Sequence, residues 1–431
     1  MRKFSRWLLI VILLLGVTTF STDYKTIAVA KEVVIKVWDW QVMENYMSAL
    51  GKILHMYEEK HPNVRIERKA IPSGEFQKQI KAAFAGEEAP DLFQVQHGTE
   101  TEAYYKAGIL YDFYKDWKAD PEWQGLIDLE SHPECFIEDK AVTFPAVDLW
   151  IHAVYYYKDM LTKYGLTKPE TINDLINMVP VLTEEGLIVM STAFGPNSIV
   201  WIPNCMWSEF MMQNSTTNVL TKLEKGELSW KDPVVKEALA TIKKMKDTGV
   251  FPKDVNSAEY FPDVLTRFQN KKAWSFYIAG DWTIGSMNKE DVKNNNIGVM
   301  PLPKMRADSK LGYARAAGIL YGMQPDNPKK ETVIDLLKFF SSPEAVKVIV
   351  DNDIHPSSKV AMKIPIKNNL MKEVIKESEN PNYWYSPWVI PRNPEISRRQ
   401  IDDLGKLFLG MMTIDEVVED LDKFTKEVLA R

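Results

Sequence analysis

Apolar and polar positions follow two different periods along this chain, and their order predicts its architecture. Val33 to Trp38 alternates apolar and polar residues, which predicts a strand, while Met43 to Lys60 repeats apolar residues at helical spacing. Val64 to Ile71 and Ala89 to Val95 predict further strands, separated by a helix that stops at Gly86. Strands that alternate with helices are typical of a parallel α/β sheet, whose ligands bind at the carboxyl ends of the strands.

The same signals continue towards the carboxyl end of the chain. Ala141 to Pro145 and Ile151 to Tyr157 predict two more strands. Thr171 with Asp174, and Thr413 with Glu416, have the spacing of capping boxes and therefore predict two helix starts. The sequence contains no internal repeat and no low-complexity tract.

The stretch from Lys271 to Pro303 combines a buried strand with candidate binding chemistry. Ala273 to Ile278 is apolar and aromatic, which predicts the strand, and Gly280, Asp281 and Trp282 stand at its exit. An indole offers a flat apolar face and a carboxylate accepts hydrogen bonds from hydroxyls, so the pair suits a polyhydroxylated ligand. The alternative is a tryptophan packed under a loop beside a solvated carboxylate.

Tryptophans are frequent outside the predicted helix faces. Most of the candidate binding residues stand at predicted strand ends or in loops: Trp38, Asp39, Trp40, His97, Trp150, Trp282, Trp384 and Trp388. The aromatic loop from Asn382 to Trp388 fits either a cleft wall or a cluster that covers a lobe. Arg315 precedes a predicted strand, where it can reach a ligand or pair with a surface carboxylate. Trp201 and Trp207 lie in an irregular apolar region, which favours core packing for at least one of them.

Composition and charge limit the class of protein. The 431 residues include 13 tryptophans and carry a formal charge of −6 without basic clusters, which argues against a nucleic-acid partner. Cys135 and Cys205 fit no metal spacing, and we expect them to be free buried thiols. The histidines are scattered, and neither a GxSxG nor an HExxH motif occurs, so the sequence indicates no catalytic residue, cofactor or metal.

Residues 1–30 have the pattern of a secretory signal peptide. A basic start is followed by the apolar run Trp7 to Val17 and then by Ala28-Val29-Ala30, which predicts cleavage before Lys31. The alternative is that the apolar run is retained as an anchor. No cysteine follows the run, so a lipoprotein anchor is not predicted.

Several segments resemble the extracellular solute-binding proteins of ABC importers, and in particular the sugar-binding relatives of maltose-binding protein. The segment FYIAGDWTIGSM…IGVMPLP resembles their GxW…IGVxPLP pattern. Other segments follow in the family's order: HPNVRIERK, AAFAGEEAPDLFQV, AGILYDF, FPAVDLWIHAVYYYKDML and LLKFFSSPEA. The resemblance therefore covers nearly the whole chain after residue 30.

This resemblance implies two α/β lobes joined by hinge strands, with a cleft between them. It places residues 31–147 and 299–342 in the N-terminal lobe and residues 148–298 and 343–431 in the C-terminal lobe. The crossings would lie near Val147-Asp148, Gly298 and Ser342-Pro343. The implied protein is an exported, monomeric substrate-binding subunit that captures a carbohydrate, expected to be an oligosaccharide, by hinge closure and delivers it to a membrane permease without catalysis.

The resemblance also implies which residues bind. Aromatic residues of both lobes stack on sugar rings in such proteins, and this carries over to Trp282, and then to Asp281, Trp384, Trp38, Asp39, Trp40 and His97. Trp150, Trp388 and Arg315 complete the candidate set. Three alternatives stay open: a secreted glycoside hydrolase, a glycerol-phosphate binder and a polyamine binder.

Overall fold

The computed structural model describes residues 32–86, 88–215, 219–386 and 391–431. Its strands are β1 (Val33–Asp39), β2 (Val64–Ala70), β3 (Leu92–Val95), β4 (Phe136–Ile137), β5 (Lys140–Ala141), β6 (Phe144–Pro145), β7 (Leu149–Tyr157), β8 (Ile188–Ser191), β9 (Ala273–Gly280), β10 (Ile297–Met300), β11 (Gly312–Ala317), β12 (Leu320–Gly322) and β13 (Trp384–Ser386). The predicted signal peptide lies outside the described residues.

Helices connect and cover these strands. They are α1 (Glu44–Lys60), α2 (Ser73–Ala85), α3 (Thr99–Lys106), α4 (Tyr114–Ala119), α5 (Pro121–Leu126), α6 (Lys158–Lys163), α7 (Ile172–Glu184), α8 (Ile202–Gln213), α9 (Val219–Glu224), α10 (Pro233–Asp247), α11 (Leu265–Gln269), α12 (Lys289–Lys293), α13 (Lys330–Phe340), α14 (Pro343–Asp351), α15 (Asn369–Ser378), α16 (Pro394–Phe408) and α17 (Ile414–Leu429). Both predicted capping boxes are confirmed, because Thr171 and Thr413 each accept a hydrogen bond from the backbone three residues on.

Two sheets form the centres of two lobes. The first has the order β2-β1-β3-β12-β6, with β1 to β3 parallel as the alternating pattern predicts, and the second has the order β13-β11-β7-β9-β8. Strand β10 also pairs with β7, antiparallel to it. The aromatic loop predicted at Asn382 to Trp388 is in part a strand, since β13 pairs with β11 through Gly312 and Trp384.

The hydrophobic cores show how the chain divides between the lobes. The core of the first lobe runs from Ile35 to Val147 and continues from Ala317 to Ile354. The core of the second lobe contains the residues from Ile151 to Ala314 and those beyond Leu370. The cores therefore separate near Asp148, Arg315 and His355, whereas the resemblance implies crossings near Gly298 and Ser342.

The physical reason for this difference is strand pairing. Gly298 lies inside β10, whose register with β7 keeps it in the second sheet. Ser342 caps α14, which packs in the first core through Ala345 and Ile349. Neither position is therefore at a lobe crossing.

The two cysteines are free and buried, one in each core, which confirms the expectation for them. Among the helices of the described ranges, none is long and apolar enough to cross a membrane.

Candidate functional site

A row of aromatic side chains runs outward from the hinge along the second lobe. Trp150 lies 4.7 Å from Trp282 between ring centroids, and Trp282 lies 6.5 Å from Trp201. Trp201 contacts Tyr260 at 5.1 Å, and Tyr260 contacts Phe261 at 4.5 Å. We call these five residues the aromatic row. Its outer end is open to solvent, because Phe261 is 51% exposed.

Trp282 is the member of the row that contacts both lobes. Its half-buried ring packs against the core of the second lobe and against that of the first. The strand β9 ends at Gly280, and the short 3₁₀ turn Asp281–Ser286 then carries the indole away from the sheet. The predicted position of Trp282 at a strand exit is therefore observed, and the exit faces the junction of the lobes.

Two glycines make room for the two inner rings. A Cβ on Gly280 would lie 1.5 Å from the ring of Trp282, and a Cβ on Gly318 would lie 2.0 Å from Nε1 of Trp150. The backbone at Gly280 has φ −58°, which any residue can adopt. This glycine is thus required by the close approach of the indole and not by a sharp turn.

Asp148 fixes the start of the row at the hinge. Its Oδ2 accepts hydrogen bonds from Tyr46 Oη at 2.5 Å and Trp150 Nε1 at 2.6 Å, and its Oδ1 accepts one from Ile319 N at 2.8 Å. Burial raises the pKa of Asp148 to about 7, and the charge of Asp281 contributes to that rise. This carboxylate joins helix α1 of the first lobe to the start of strand β7.

Asp281, a predicted ligand residue, is likewise committed to contacts within the protein. It is fully buried, and its carboxylate accepts from Ile151 N at 3.3 Å and contacts His355 Nδ1 at 2.7 Å. Burial raises its pKa, and the bond to His355 opposes that rise. In this structure Asp281 positions the turn that carries Trp282 and presents no free oxygen to a ligand.

The first lobe faces this region through α1 and the exit of β3. The side chain of Asn45 lies against Gly285, in the turn that carries Trp282. Neither polar atom of Asn45 has a hydrogen-bond partner among the described residues. His97 follows β3 and is buried, and the charges of Glu134, His152 and Arg392 act on it. Burial lowers the pKa of His97 to about 4, so its imidazole is neutral at pH 7.

His152 of the second lobe also lies beside Trp282. Its ring meets Trp282 edge-on at 6.2 Å, and its Nδ1 lies 3.2 Å from Glu209 Oε1. Glu209 is buried on α8, and burial raises its pKa. The structure therefore places Trp150, a predicted site residue, beside Trp282, and His97 is linked to this region through the charge of His152.

The other candidates at the exit of β1 have protein partners of their own. Asp39 is buried and receives two hydrogen bonds of 2.7 Å from Arg68. Lys69 Nζ lies 4.3 Å from the ring of Trp38, and Trp40 packs edge-on against Phe76 at 5.2 Å. Trp38 and Trp40 pack on the cluster beneath α2, and no ring contact among the described residues connects them to the aromatic row.

Arg315 lies on the opposite face of the hinge strands from the aromatic row. It pairs with Ile151 in antiparallel register, and side chains on β7 alternate between faces, so Arg315 shares the face of Ile151 and not that of Trp150. There it donates to Ser378 O at 3.2 Å and stacks on Tyr385 at 4.8 Å. The backbone of Trp384 lies in the neighbouring strand β13. Trp388 lies outside the described residues.

A cavity of about 460 Å³ lies behind the hinge on this face, lined among others by Arg315, Tyr385 and His355. Its buried polar groups bond to one another or to the backbone. Glu134 Oε1, for example, accepts from Ala317 N at 2.6 Å and lies 3.1 Å from His132 Nδ1. Within the described residues, no cluster of three or more His, Cys, Asp or Glu side chains could hold a metal ion.

The sequence did not indicate several residues of the candidate site. Core packing was expected for at least one of Trp201 and Trp207, and Trp207 is fully buried. Trp201 is half-buried and belongs to the aromatic row. Tyr260, Phe261 and Asn45 carried no sequence signal that separates them from core or surface residues. An aromatic pair directly before Pro262, in a segment with neither helical nor strand period, was the nearest available clue.

Comparison with known proteins shows what this chain resembles. The family model for the bacterial extracellular solute-binding protein matches residues 52–392. The melibiose/raffinose/stachyose-binding protein MelE of Bacillus subtilis is 21% identical over 323 residues, which cover 73% of this chain and 72% of that protein. An uncharacterized ABC transporter extracellular-binding protein of Pyrococcus horikoshii is 22% identical over 301 residues, which cover 68% of this chain and 66% of that one.

Solved structures share the whole fold at low sequence identity. A chitin oligosaccharide binding protein matches with a TM-score of 0.78 and 18% identity, covering 93% of this chain and 100% of the other. A protein from the xylan-utilization system of the thermophilic bacterium Caldanaerobius polysaccharolyticus matches with a TM-score of 0.79 and 15% identity, covering 91% and 99%. These matches confirm the predicted two-lobed α/β fold.

Proposed function

Because this chain belongs to the bacterial extracellular solute-binding proteins, we propose that it binds an oligosaccharide between its lobes. It then delivers the sugar to the membrane permease of an ABC importer. The aromatic row carries this proposal. Sugar rings have apolar faces that stack on aromatic rings, and the partly exposed rings of the row offer successive faces to successive sugar units. Tyr260 is itself buried and supports its neighbours Trp201 and Phe261 from within the lobe.

The surroundings of the row support a ligand rich in hydroxyl groups. A hydroxyl both donates and accepts, so it satisfies the amide nitrogen and the amide oxygen of Asn45, which lack partners among the described residues. His152 adds a polar edge beside Trp282. MelE and the multiple sugar-binding protein of Streptococcus mutans are sugar binders by name, and the same class of ligand fits this site.

The hinge supports capture by closure of the lobes. Trp282 contacts both cores, and Asp148 joins α1 to β7, so ligand bound at the row touches elements of both lobes. A ligand that contacts both lobes only when they are closed stabilises the closed form by its differential affinity.

The two carboxylates at the inner end of the row favour binding over hydrolysis. A glycoside hydrolase needs two carboxyl groups that face the scissile bond. Asp148 and Asp281 are fully buried, and both accept hydrogen bonds from the protein. We infer that the protein acts as a binding subunit.

Family membership makes this an extracellular protein, in the periplasm or at the cell surface. We further propose that residues 1–30 direct its export and are removed, and that the released protein is a monomer. Neither assignment affects the chemistry of the cleft.

A thermal-shift screen tests the proposed ligand class. Xylo-, cello-, malto-, chito- and raffinose-type oligosaccharides are compared with glycerol phosphate and spermidine. One oligosaccharide class at 100 times its dissociation constant should stabilise the protein by about 2.7 kcal/mol. Trp282→Ala is run beside the wild type and should lose most of the shift. A shift with spermidine or glycerol phosphate alone would contradict the sugar assignment, and shortened sugars in the mixture would indicate a hydrolase.

A further inference from the structure

Arg392 of the second lobe reaches three groups of the first lobe. Its Nη1 donates to Phe136 O and its Nη2 donates to Pro133 O, each at 3.5 Å. Its Nη1 also lies 3.9 Å from Glu102 Oε1 on α3. Both side chains are mostly buried, with 27% of Arg392 and 20% of Glu102 exposed. An ion pair in such surroundings is screened less than one on the open surface.

The second lobe holds Arg392 in place from behind. The next residue, Asn393, donates its backbone N–H to Glu224 Oε1 at 2.6 Å. The side chain of Asn393 caps α16 by accepting from Glu395 N and Ile396 N. Helix α16 is anchored in the second core through Ile396 and Leu404. The guanidinium is therefore projected from a capped helix start and not from a free loop.

The receiving surface in the first lobe is equally defined. Pro133 and Phe136 flank Cys135, which is fully buried in the first core, and Glu102 stands on α3, which packs against α16. Two carbonyl oxygens and one carboxylate suit the fork of an arginine, which offers five N–H donors in one plane. A lysine at this position could not reach both carbonyl oxygens and the carboxylate together.

We propose that Arg392 and Glu102, with the carbonyl groups of Pro133 and Phe136, form an interlobe latch that stabilises the closed arrangement of the two lobes. The latch bridges the two lobes, so separation of the lobes at this contact breaks it. It rests on the proposed function in that its role is to retain a captured sugar, and it predicts a preference for closure in the sugar-free protein. Arg392 thus positions the two lobes relative to each other and is not proposed to contact the sugar.

The test measures the distance between the lobes without any sugar. Spin labels are placed at the exposed positions Lys106→Cys on α3 and Lys423→Cys on α17, while the native cysteines are buried. Pulsed electron spin resonance should show a short-distance population in the wild-type background. Arg392→Gln should reduce the ratio of short to long distances by about fivefold or more, as for a partly desolvated charge pair.

Three further variants separate a latch from a general structural effect. Glu102→Gln should reduce the ratio less, because the two carbonyl contacts remain, and adding it to Arg392→Gln should change little further, since both remove the same interaction. Arg392→Lys should fall between wild type and Arg392→Gln. Arg398→Gln alters an exposed arginine of α16, the helix that follows Arg392, and should leave the ratio unchanged.

Several results would overturn the latch. These are a wild-type protein without the short-distance population, an unchanged ratio in Arg392→Gln, purely additive effects of the two substitutions, or the same fall in Arg398→Gln. Because no sugar is present, these outcomes do not depend on the proposed ligand. A protein that binds no sugar but shows the predicted ratios would contradict only the proposed function.

Discussion

At the scale of single residues, the site depends on large rings that small residues accommodate. Trp282 is only partly buried although it touches both cores, and Gly280 leaves the space that its ring occupies. Trp207, by contrast, is fully buried on α8 and donates to Val235 O at 2.9 Å. These two indoles have the same size and different surroundings, so truncating them should affect different quantities.

Trp282→Ala should weaken sugar binding more than it weakens the fold. Loss of one stacking face costs roughly 1–3 kcal/mol by analogy with base stacking, which is about a 5- to 150-fold loss of affinity. Trp207→Ala is the matched control and should cost roughly 3–5 kcal/mol of unfolding free energy. Titration calorimetry and urea denaturation on both variants check this. If Trp282→Ala melts like the core variant while its affinity is unchanged, Trp282 is not a ligand residue.

Gly280→Ala should reduce affinity without touching the ligand. The new methyl group would overlap the ring of Trp282, so the indole must leave its position. We expect a loss of affinity comparable to that of Trp282→Ala. Gly405→Ala is the control, because a Cβ at this position meets nothing within 4 Å. Alanine in a helix is more stable than glycine by about 0.5–1 kcal/mol, so the control should not lose stability. Equal affinities of wild type and Gly280→Ala for the sugar would show that binding does not require the Trp282 ring to lie against residue 280.

At the scale of elements, strand β7 connects the lobes and carries the start of the aromatic row. Its first residues pair with β11 and its later residues pair with β9 and β10, so one strand reaches from the hinge into the second core. Asp148 stands immediately before it and accepts bonds from α1 and from β7 itself. The stability of this junction should therefore depend on the protonation of one buried carboxyl group.

Asp148→Ala should destabilise the protein by an amount that depends on pH. The folded-state pKa of about 7 lies above the unfolded value near 3.9, because burial disfavours the charged form. The folded protein thus binds this proton more tightly, and the resulting stability is complete below pH 4 and is lost as the pH rises through 7. The cost of the substitution should be about 2 kcal/mol larger at pH 5.5 than at pH 8.

Urea denaturation at the two pH values checks this, with the exposed Asp326→Ala as a control for loss of a surface charge. A cost that is the same at both pH values, or larger at pH 8, would exclude a raised pKa at Asp148. Affinity for sugar should also fall in Asp148→Ala, because Trp150 loses the acceptor that orients it.

At the scale of the whole molecule, the described parts of the two cores are joined at three places by short segments, which is compatible with a hinge motion. The crossings near Asp148, Arg315 and His355 lie side by side, since β11 pairs with β7 and Asp148 forms a bridge with Pro356. Crossings that lie close together allow rotation of one lobe against the other with small changes in each segment.

Export of the molecule gives a direct prediction. If Ala28-Val29-Ala30 is the cleavage site, sequencing of the protein recovered outside the cytoplasmic membrane should begin at Lys31. Substitution of Ala30 by Arg should slow removal of the first 30 residues, whereas Lys31→Arg should not. Recovery of Met1 on membrane-bound protein would show that the apolar run is retained as an anchor.

The sequence by itself determined several main elements of this fold and the position of its most informative residue. Strands such as β1, the helix α1 and the two capping boxes were predicted within a few residues, because they follow from local period and local hydrogen bonds. Trp282 was placed correctly at a strand exit for the same reason. The ordered segments that resemble solute-binding proteins predicted the two-lobed class.

Only the tertiary structure decided what each candidate side chain contacts. Asp281 and Asp39 are paired with His355 and Arg68, which lie 74 and 29 residues away in sequence, and no local pattern identifies such partners. Trp201 and Phe261 join the aromatic row because separate segments of the second lobe meet there, while Arg315 is turned to the other face by its register with β7. Local periodicity determines which residues are buried, but long-range pairing and packing determine which of them share a site.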